Sequence, residues 1–205
     1  RLVDRSLGDD SPIGLNVQRE RVAALEAEFR SALAPRLASQ GGGPPPADWF
    51  RWAEQLEALA LRVHGLEEWE QVEEQMVAPM VSQMVFVLNQ ALQGPLGAIW
   101  SAWRDRYLPE LDAWLDGLRA QAARKSQAIS ARLSAALAPF LPELQHSQSL
   151  SRKSLWVVAS TPGVSSVLVG MRSPAYVEDA MAVLAWPPLD PVGPIYEALR
   201  ELRLG

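Results

Sequence analysis

The segment Gly170-Met171-Arg172-Ser173-Pro174 combines the residue types and spacing most suited to binding chemistry in this chain. Ser173 and Pro174 form an N-cap followed by a first-turn proline, so they predict the start of a helix. The backbone N–H groups at a helix start are unpaired and attract anions, and Arg172 adds a fixed positive charge beside them. Gly170 lets an anion approach the backbone. The pattern therefore suits a phosphate site, although an ordinary turn capped by serine fits the same residues and is the simpler interpretation.

The residues before this turn predict a helix end followed by a buried strand. Ser149 or Ser151 is the expected N-cap of a helix over Ser151 to Ser160, and Gly163 can end this helix in a left-handed conformation. Val164 to Val169 is short, apolar and rich in β-branched residues, which is typical of a buried strand. A helix over Pro174 to Ala185 follows. Because a lone strand leaves its backbone groups unpaired, partner strands are required, and Arg1 to Val3 is the one other candidate.

The stretch from Ser149 to Trp186 resembles the last βα unit of the aldo-keto reductase family. In that family a loop of the form Gly-x-Arg/Ser-Ser/x-Pro follows the eighth barrel strand. The resemblance implies that this loop and the helix after it hold the 2′-phosphate and adenine end of NADP(H). The resemblance makes the phosphate site the preferred interpretation of the turn.

Five positions are the cofactor-binding candidates that the resemblance implies. Gly170 corresponds to the loop glycine, and Arg172 and Ser173 correspond to the pair near the phosphate. Asp179 corresponds to the acidic residue near the adenine. Tyr176 stands where the family usually has glutamine or arginine.

The chain before this segment has the apolar spacing of amphipathic helices. The first helical pattern carries Val22 to Leu37 and ends before the tract Gly41 to Pro46. Six consecutive glycines and prolines cannot be helical, so the tract predicts a mobile, protease-sensitive linker. Asp48 is the expected N-cap of a second helix, which Gly65 closes.

Two longer helical patterns follow. One covers Leu66 to about Gln93, where Pro79 is expected to kink or break the helix. The other covers Leu96 to Leu137, where Pro109 is expected to bend or split it. Helices with one apolar stripe must pack on one another, so the sequence predicts a mainly α fold: a bundle of three to four long helices plus the C-terminal βα unit. The expected organisation is a loop over residues 1–14, the bundle over 15–146 and the reductase-like segment over 147–205.

Other residues whose side chains could bind a metal or take part in catalysis are expected to have structural roles. Five glutamates between Glu67 and Glu74 have helical spacing, but no Glu-x-x-His element accompanies them, so a solvated face is expected and no metal site is predicted. His64 and His146 lie in no nucleophile or zinc pattern, and His64 is expected to interact with terminal carbonyls of a helix. Basic residues from Arg119 to Arg132 are expected to be ordinarily solvated.

The methionine and tryptophan stripes have two interpretations. Met76, Met80 and Met84, with several tryptophans, could line an adaptable groove for a partner protein or a second copy. Core packing is the favoured interpretation, since stripes at this spacing are usually buried.

Composition narrows the function classes. The 205 residues carry a net charge of −5, which argues against nucleic acid as a partner. No apolar run reaches the length of a membrane span, so no membrane association is expected. The absence of cysteine removes thiolate metal sites and suits a cytoplasmic location.

The resemblance also implies what the chain lacks. The family's catalytic tyrosine, lysine, aspartate and histidine lie in earlier barrel strands that have no counterpart here, and such a barrel takes about 250 residues. We therefore expect the C-terminal portion of an aldo-keto reductase-like oxidoreductase, carrying a helical insertion and inactive alone. The alternative is a non-catalytic helical interaction or regulatory module with a remnant reductase tail.

Overall fold

The computed structural model describes residues 12–39, 49–171 and 174–202, and the chain is predominantly helical over them. The chain divides into two compact units, 1–126 and 127–205. Several predicted features lie outside the described residues: the strand Arg1 to Val3, the linker Gly41 to Pro46, the cap Asp48, and the pair Arg172 and Ser173.

The first unit is built from helices that match the predicted apolar patterns. Two π-helical segments, Phe29–Leu33 and Glu73–Val77, lie between consecutive α-helices. The helices are α1 (Pro12–Glu28), α2 (Ala34–Ser39), α3 (Trp52–Arg62), α4 (Leu66–Val72), α5 (Ala78–Ala91) and α6 (Gly94–Leu137), which continues into the second unit.

Prolines account for the two π-helical segments. Pro35 and Pro79 each lie shortly after the end of a π-helical segment. Proline lacks the N–H that would bond four residues back and its ring crowds that carbonyl, so a wider turn relieves the clash. Pro109, in contrast, lies inside α6, which runs unbroken over 44 residues. Of the two effects expected of Pro109, a bend or a split, the split does not occur. The buried side chains of Tyr107 and Leu111 on either side hold the helix in the core.

An aromatic cluster fills the centre of the first unit. Trp103 stacks on Tyr107 with ring centroids 4.6 Å apart, and Trp100 stacks on Trp103 at 5.4 Å. Phe29 and Phe50 pack against the same rings. All five side chains are almost completely buried. The tryptophan stripe of α6 is therefore core, which confirms the favoured interpretation for these residues.

The entry to α3 differs from the sequence expectation. Phe50 has a positive φ of 56°, a left-handed conformation that is uncommon for a non-glycine residue. Its ring is held in the aromatic cluster, and Arg30 donates a hydrogen bond of 2.6 Å to its carbonyl oxygen. The N-cap of α3 is Arg51, which makes no side-chain capping bond.

The second unit contains the end of α6, a 3₁₀ turn (Ala138–Phe140) and short helices after it. These are α7 (Glu143–His146), α8 (Leu150–Ala159), α9 (Pro174–Val183) and α10 (Gly193–Glu201). Their separate core is formed by Leu137, Leu141, Trp156, Val157, Val183 and Ile195.

Hydrogen bonds tie the turn after α9 to α8. The indole N–H of Trp156 donates to the carbonyl oxygen of Pro187 at 2.8 Å, and its ring packs edge-on against Trp186. The hydroxyl oxygen of Ser160 accepts from the backbone N–H of Leu189 at 2.9 Å. α8 and α9, the helices before and after the candidate turn, are thus held together by specific polar contacts as well as by their apolar core.

Candidate functional site

The helix before the candidate site runs within one residue of its predicted bounds, and Gly163 is left-handed as predicted but lies four residues beyond the helix end. Ser149 is the N-cap of α8, and its Oγ accepts a hydrogen bond from the backbone N–H of Arg152 at 3.2 Å. Gly163, just beyond the end of α8, has a φ of 87°, which a residue with a Cβ adopts only with strain. The chain therefore leaves α8 in a fixed direction, and residues 164 onward run beside α8 and α9.

The predicted strand is not present as a strand. Residues 164–171 have no regular secondary structure, and no β-ladder occurs in the described part of the chain. Leu168 is fully exposed, and Val164 and Val169 are more than a third exposed. Val164 to Val169 is therefore not a paired strand in this chain by itself. The physical reason is that a strand needs partners for its N–H and C=O groups, and the described residues offer none.

An apolar groove of about 300 Å³ lies between this segment and the two helices. Val167 and Val169 line it from the segment, Leu155 from α8, and Met181 and Leu184 from α9 and its end. Met181 and Leu184 are 57% and 76% exposed, so this face of the second unit is open and apolar.

The structure places only some of the cofactor-binding candidates. Gly170 is exposed, its φ is not left-handed, and a Cβ built on it meets nothing within 4 Å. Arg172 and Ser173 lie outside the described residues. Tyr176 is half exposed on α9. These positions are close in sequence around the start of α9, and their role toward a cofactor stays a prediction.

Asp179 has a structural partner. Its carboxylate accepts from Arg152 Nε at 2.6 Å and from the hydroxyl of Ser149 at 3.0 Å, so it joins α9 to the start of α8. Desolvation raises the pKa of Asp179, but hydrogen bonds from Arg152, Ser149 and Ser151 and the charge of Arg152 outweigh it, and the net result is a lowered pKa. The carboxylate is therefore held ionised at the N-terminal end of α8, where negative charge is stabilised by the helix dipole.

A buried carboxylate in the first unit was not predicted from the sequence. Glu26 on α1 is only 2% exposed. Its Oε1 accepts from the backbone N–H of Trp52 at 2.7 Å and from the hydroxyl of Tyr107 at 3.0 Å, and the N–H of Ala53 lies 3.3 Å from Oε2. Glu26 therefore caps the N-terminus of α3 from another helix, supplying the acceptor that Arg51 does not.

Burial is the largest influence on the pKa values of Glu26 and Tyr107. Desolvation raises the pKa of Glu26, and hydrogen bonds from Tyr107, Trp52 and Ala53 and the charge of Arg30 oppose it only in part. Desolvation and the neighbouring carboxylate also raise the pKa of Tyr107 well above its usual range. A carboxyl–phenol pair of this kind can transfer protons, but here both groups are enclosed by core side chains and bonded to the fold, which suits a structural cap.

The position of Glu26 in the helix pattern could have revealed it. The buried residues Val22, Phe29 and Leu33 lie on one face, seven and four residues apart. Glu26 falls between Val22 and Phe29, at the three- and four-residue spacing where an apolar side chain is expected. A carboxylate inside an apolar stripe must find donors, so this irregularity signals a buried polar contact.

Two basic residues of α6, Lys125 and Arg119, have structural partners. Lys125 donates to the carbonyl oxygens of Ala60 and Val63 at the end of α3, at 2.9 and 3.1 Å. Arg119 bonds to Glu73 and Asp116. The expectation that the basic residues of this region are simply solvated is wrong for Lys125 and Arg119, because α3 and the π-helical segment supply acceptors within their reach.

The two histidines make no catalytic arrangement. The Nδ1 of His64 lies 3.2 Å from the carboxylate of Glu68, which also accepts the backbone N–H of His64. These two hydrogen bonds lower the pKa of Glu68 despite a small opposing desolvation effect. Nε2 of His146 lies 2.8 Å from the carbonyl oxygen of Leu141. Within the described ranges, no group of three or more histidine, aspartate or glutamate side chains is arranged to hold a metal ion.

No family model, curated protein or solved structure matches this chain. Among the helices that the structure describes, none is both long and apolar enough to cross a membrane.

Proposed function

We propose that this chain is the C-terminal portion of an aldo-keto reductase-like oxidoreductase. In this proposal the second unit supplies the last βα unit of the barrel and the loop for the cofactor phosphate, and the first unit is a helical insertion. The protein works in the cytoplasm, uses NADP(H), and has no reductase activity from this chain alone.

One observation carries the proposal. The segment Val164 to Val169 has no regular secondary structure, carries apolar side chains with one serine in each of its two alternating sets, and borders a groove that α8 and α9 also line. Strands with two apolar faces are typical of parallel sheets that are covered on both sides. The fully exposed Leu168 points to a face that the described residues leave uncovered. Further strands of a barrel would pair backbone groups of residues 165–169 and bury that side chain.

The candidate phosphate loop supports the same proposal. Gly170, Arg172 and Ser173 precede α9 directly, and α9 begins at Pro174. A helix start beside an arginine is suited to bind a phosphate. The ion pair between Asp179 and Arg152 fixes α9 against α8 and so would hold the loop in position.

Cofactor binding by the protein that includes its upstream coding sequence tests the proposal. Titration with NADPH and NADH, followed by nucleotide fluorescence, compares the wild type with Arg172→Ala and with Arg200→Ala as an exposed control on α10. We expect Arg172→Ala to lose at least tenfold in NADPH affinity and less in NADH affinity, because the guanidinium would bind the extra phosphate. Equal losses for both nucleotides, or no binding by the wild type, would contradict it.

The second candidate is a non-catalytic helical interaction module, which the exposed apolar side chains of α5 favour. The upstream sequence discriminates between the two. The reductase proposal requires the family's catalytic tyrosine and lysine motifs before Arg1, whereas the module does not. The chain by itself should show no oxidation of NADPH with simple aldehydes; measurable turnover would refute the assignment of the catalytic groups to a longer protein.

A further inference from the structure

The outer face of α5 carries no charge, and several of its exposed side chains are apolar. Pro79, Gln83, Phe86 and Gln90 recur at three- and four-residue spacing and are all exposed, so they form one row along the helix. Phe86, near the middle, is 64% exposed, and Met80 and Val87 on one flank of the row are 42% and 39% exposed. We call these six residues the α5 face.

The charge pattern of this region is unusual for the chain. Residues 75–103 contain no aspartate, glutamate, lysine, arginine or histidine, although charged residues make up 21% of the whole sequence. The other side of α5 is buried through Met84 and Leu88, so the apolar character of the α5 face is not needed for the core. Interfaces are depleted in charge at their centres and enriched in aromatic residues and methionine.

We propose that the α5 face is the contact surface between two copies of this chain. In a two-fold contact each surface meets its own copy, so any net charge on it faces a like charge and repels. A net charge of −5 adds general repulsion between two copies. The charge-free stretch is where two copies can approach without that opposition, which favours a second copy over a charged partner.

The geometry of α5 suits such a contact. Its 14 residues span about 21 Å, and the row from Pro79 to Gln90 is centred between Gln83 and Phe86. A two-fold axis that passes through that centre perpendicular to α5 places the two α5 helices antiparallel and brings the Phe86 rings near one another, with Met80 and Val87 at the flank. A central aromatic side chain with adaptable methionine beside it is typical of an interface anchor. This inference concerns the first unit and does not depend on the proposed function.

Sedimentation equilibrium of the chain tests the proposal with matched variants. We expect the wild type to be a dimer and Phe86→Glu to raise the dimer dissociation constant at least tenfold, since it places two carboxylates against each other. The controls are Leu61→Glu, at an apolar side chain 80% exposed on α3, and Leu168→Glu in the second unit. Both should leave the dissociation constant unchanged, and far-ultraviolet circular dichroism checks that each variant is folded.

Single-cysteine cross-linking gives a second measurement, because the chain has no cysteine of its own. Gln83→Cys should form a disulfide-linked dimer on mild oxidation, whereas Leu61→Cys should not. A monomeric wild type, a dimer unaffected by Phe86→Glu, or equal cross-linking of both variants would overturn the proposal. Dissociation by Leu168→Glu alone would assign the contact to the apolar segment of the second unit and would overturn it equally.

Discussion

Replacing Glu26 by alanine should destabilise the first unit strongly. The change leaves the N–H of Trp52 and the hydroxyl of Tyr107 without their acceptor, and both groups are buried. Each buried donor left unpaired costs about 1–3 kcal/mol. Removing a carboxylate whose pKa is raised by burial recovers part of this, because its ionised form is disfavoured in the fold. We therefore expect a loss of about 2–4 kcal/mol in the free energy of unfolding.

Urea denaturation followed by tryptophan fluorescence measures this loss. Glu57→Ala is the matched control, because Glu57 lies on α3 and bonds to Arg19 at 2.8 Å but its side chain is 47% exposed. An exposed ion pair contributes about 0–1 kcal/mol. A loss for Glu26→Ala no larger than that of Glu57→Ala would refute the reasoning that the buried carboxylate caps α3.

The pH dependence of Glu26→Gln tests the electrostatic part of the argument. The pKa of Glu26 is raised above 4.5 in the fold, so the folded chain keeps this proton at pH values where the unfolded chain has released it. The contribution of this carboxyl group to the free energy of unfolding is fully present below pH 4.5 and is lost as the pH rises through the folded pKa. The unfolding free energy of the wild type should therefore fall relative to that of Glu26→Gln in this window, and a constant or growing difference would contradict it.

Two further substitutions test local geometry. Gly97→Ala should lower the unfolding free energy, because the new Cβ would lie 2.9 Å from the carbonyl oxygen of Leu92. This is expected even though alanine is favoured over glycine by about 1 kcal/mol in helices. A variant that is more stable than wild type in thermal denaturation would contradict this. Asp179→Asn should lower the melting temperature at neutral pH, and the difference from wild type should shrink on acidification. The reason is that Arg152 and Ser149 lower the pKa of Asp179. The stability that its ionised carboxylate contributes is therefore present above pH 3.8 and is lost as the pH falls through the folded pKa. A difference in melting temperature that does not change with pH would contradict this prediction.

The helices could be predicted from the sequence because their apolar spacing is regular. The long pattern from Leu96 to Leu137 is observed as α6, and the local signals Ser149 and Gly163 act as the N-cap and the left-handed residue they indicate. These features depend on neighbouring residues in the chain, which is what a sequence pattern records.

Features that depend on distant partners could not be predicted in the same way. The acceptor at the start of α3 comes from Glu26, and a local pattern points instead to Asp48. The stretch Val164 to Val169 has the composition of a strand, but a strand forms only where another segment pairs with it. For the candidate site, the sequence located the turn before α9 and the position of Asp179, while the bond from Arg152 to Asp179 emerged only from the fold.

Hydrogen exchange at the backbone amides of residues 165–169 tests the central claim most directly. The comparison is between this chain alone and the longer protein that includes its upstream sequence. If the segment is the last strand of a barrel, its amides exchange rapidly in the chain alone and are strongly protected in the longer protein, because they then donate to neighbouring strands. Equally rapid exchange in both proteins would contradict the assignment of this segment to a reductase-like sheet.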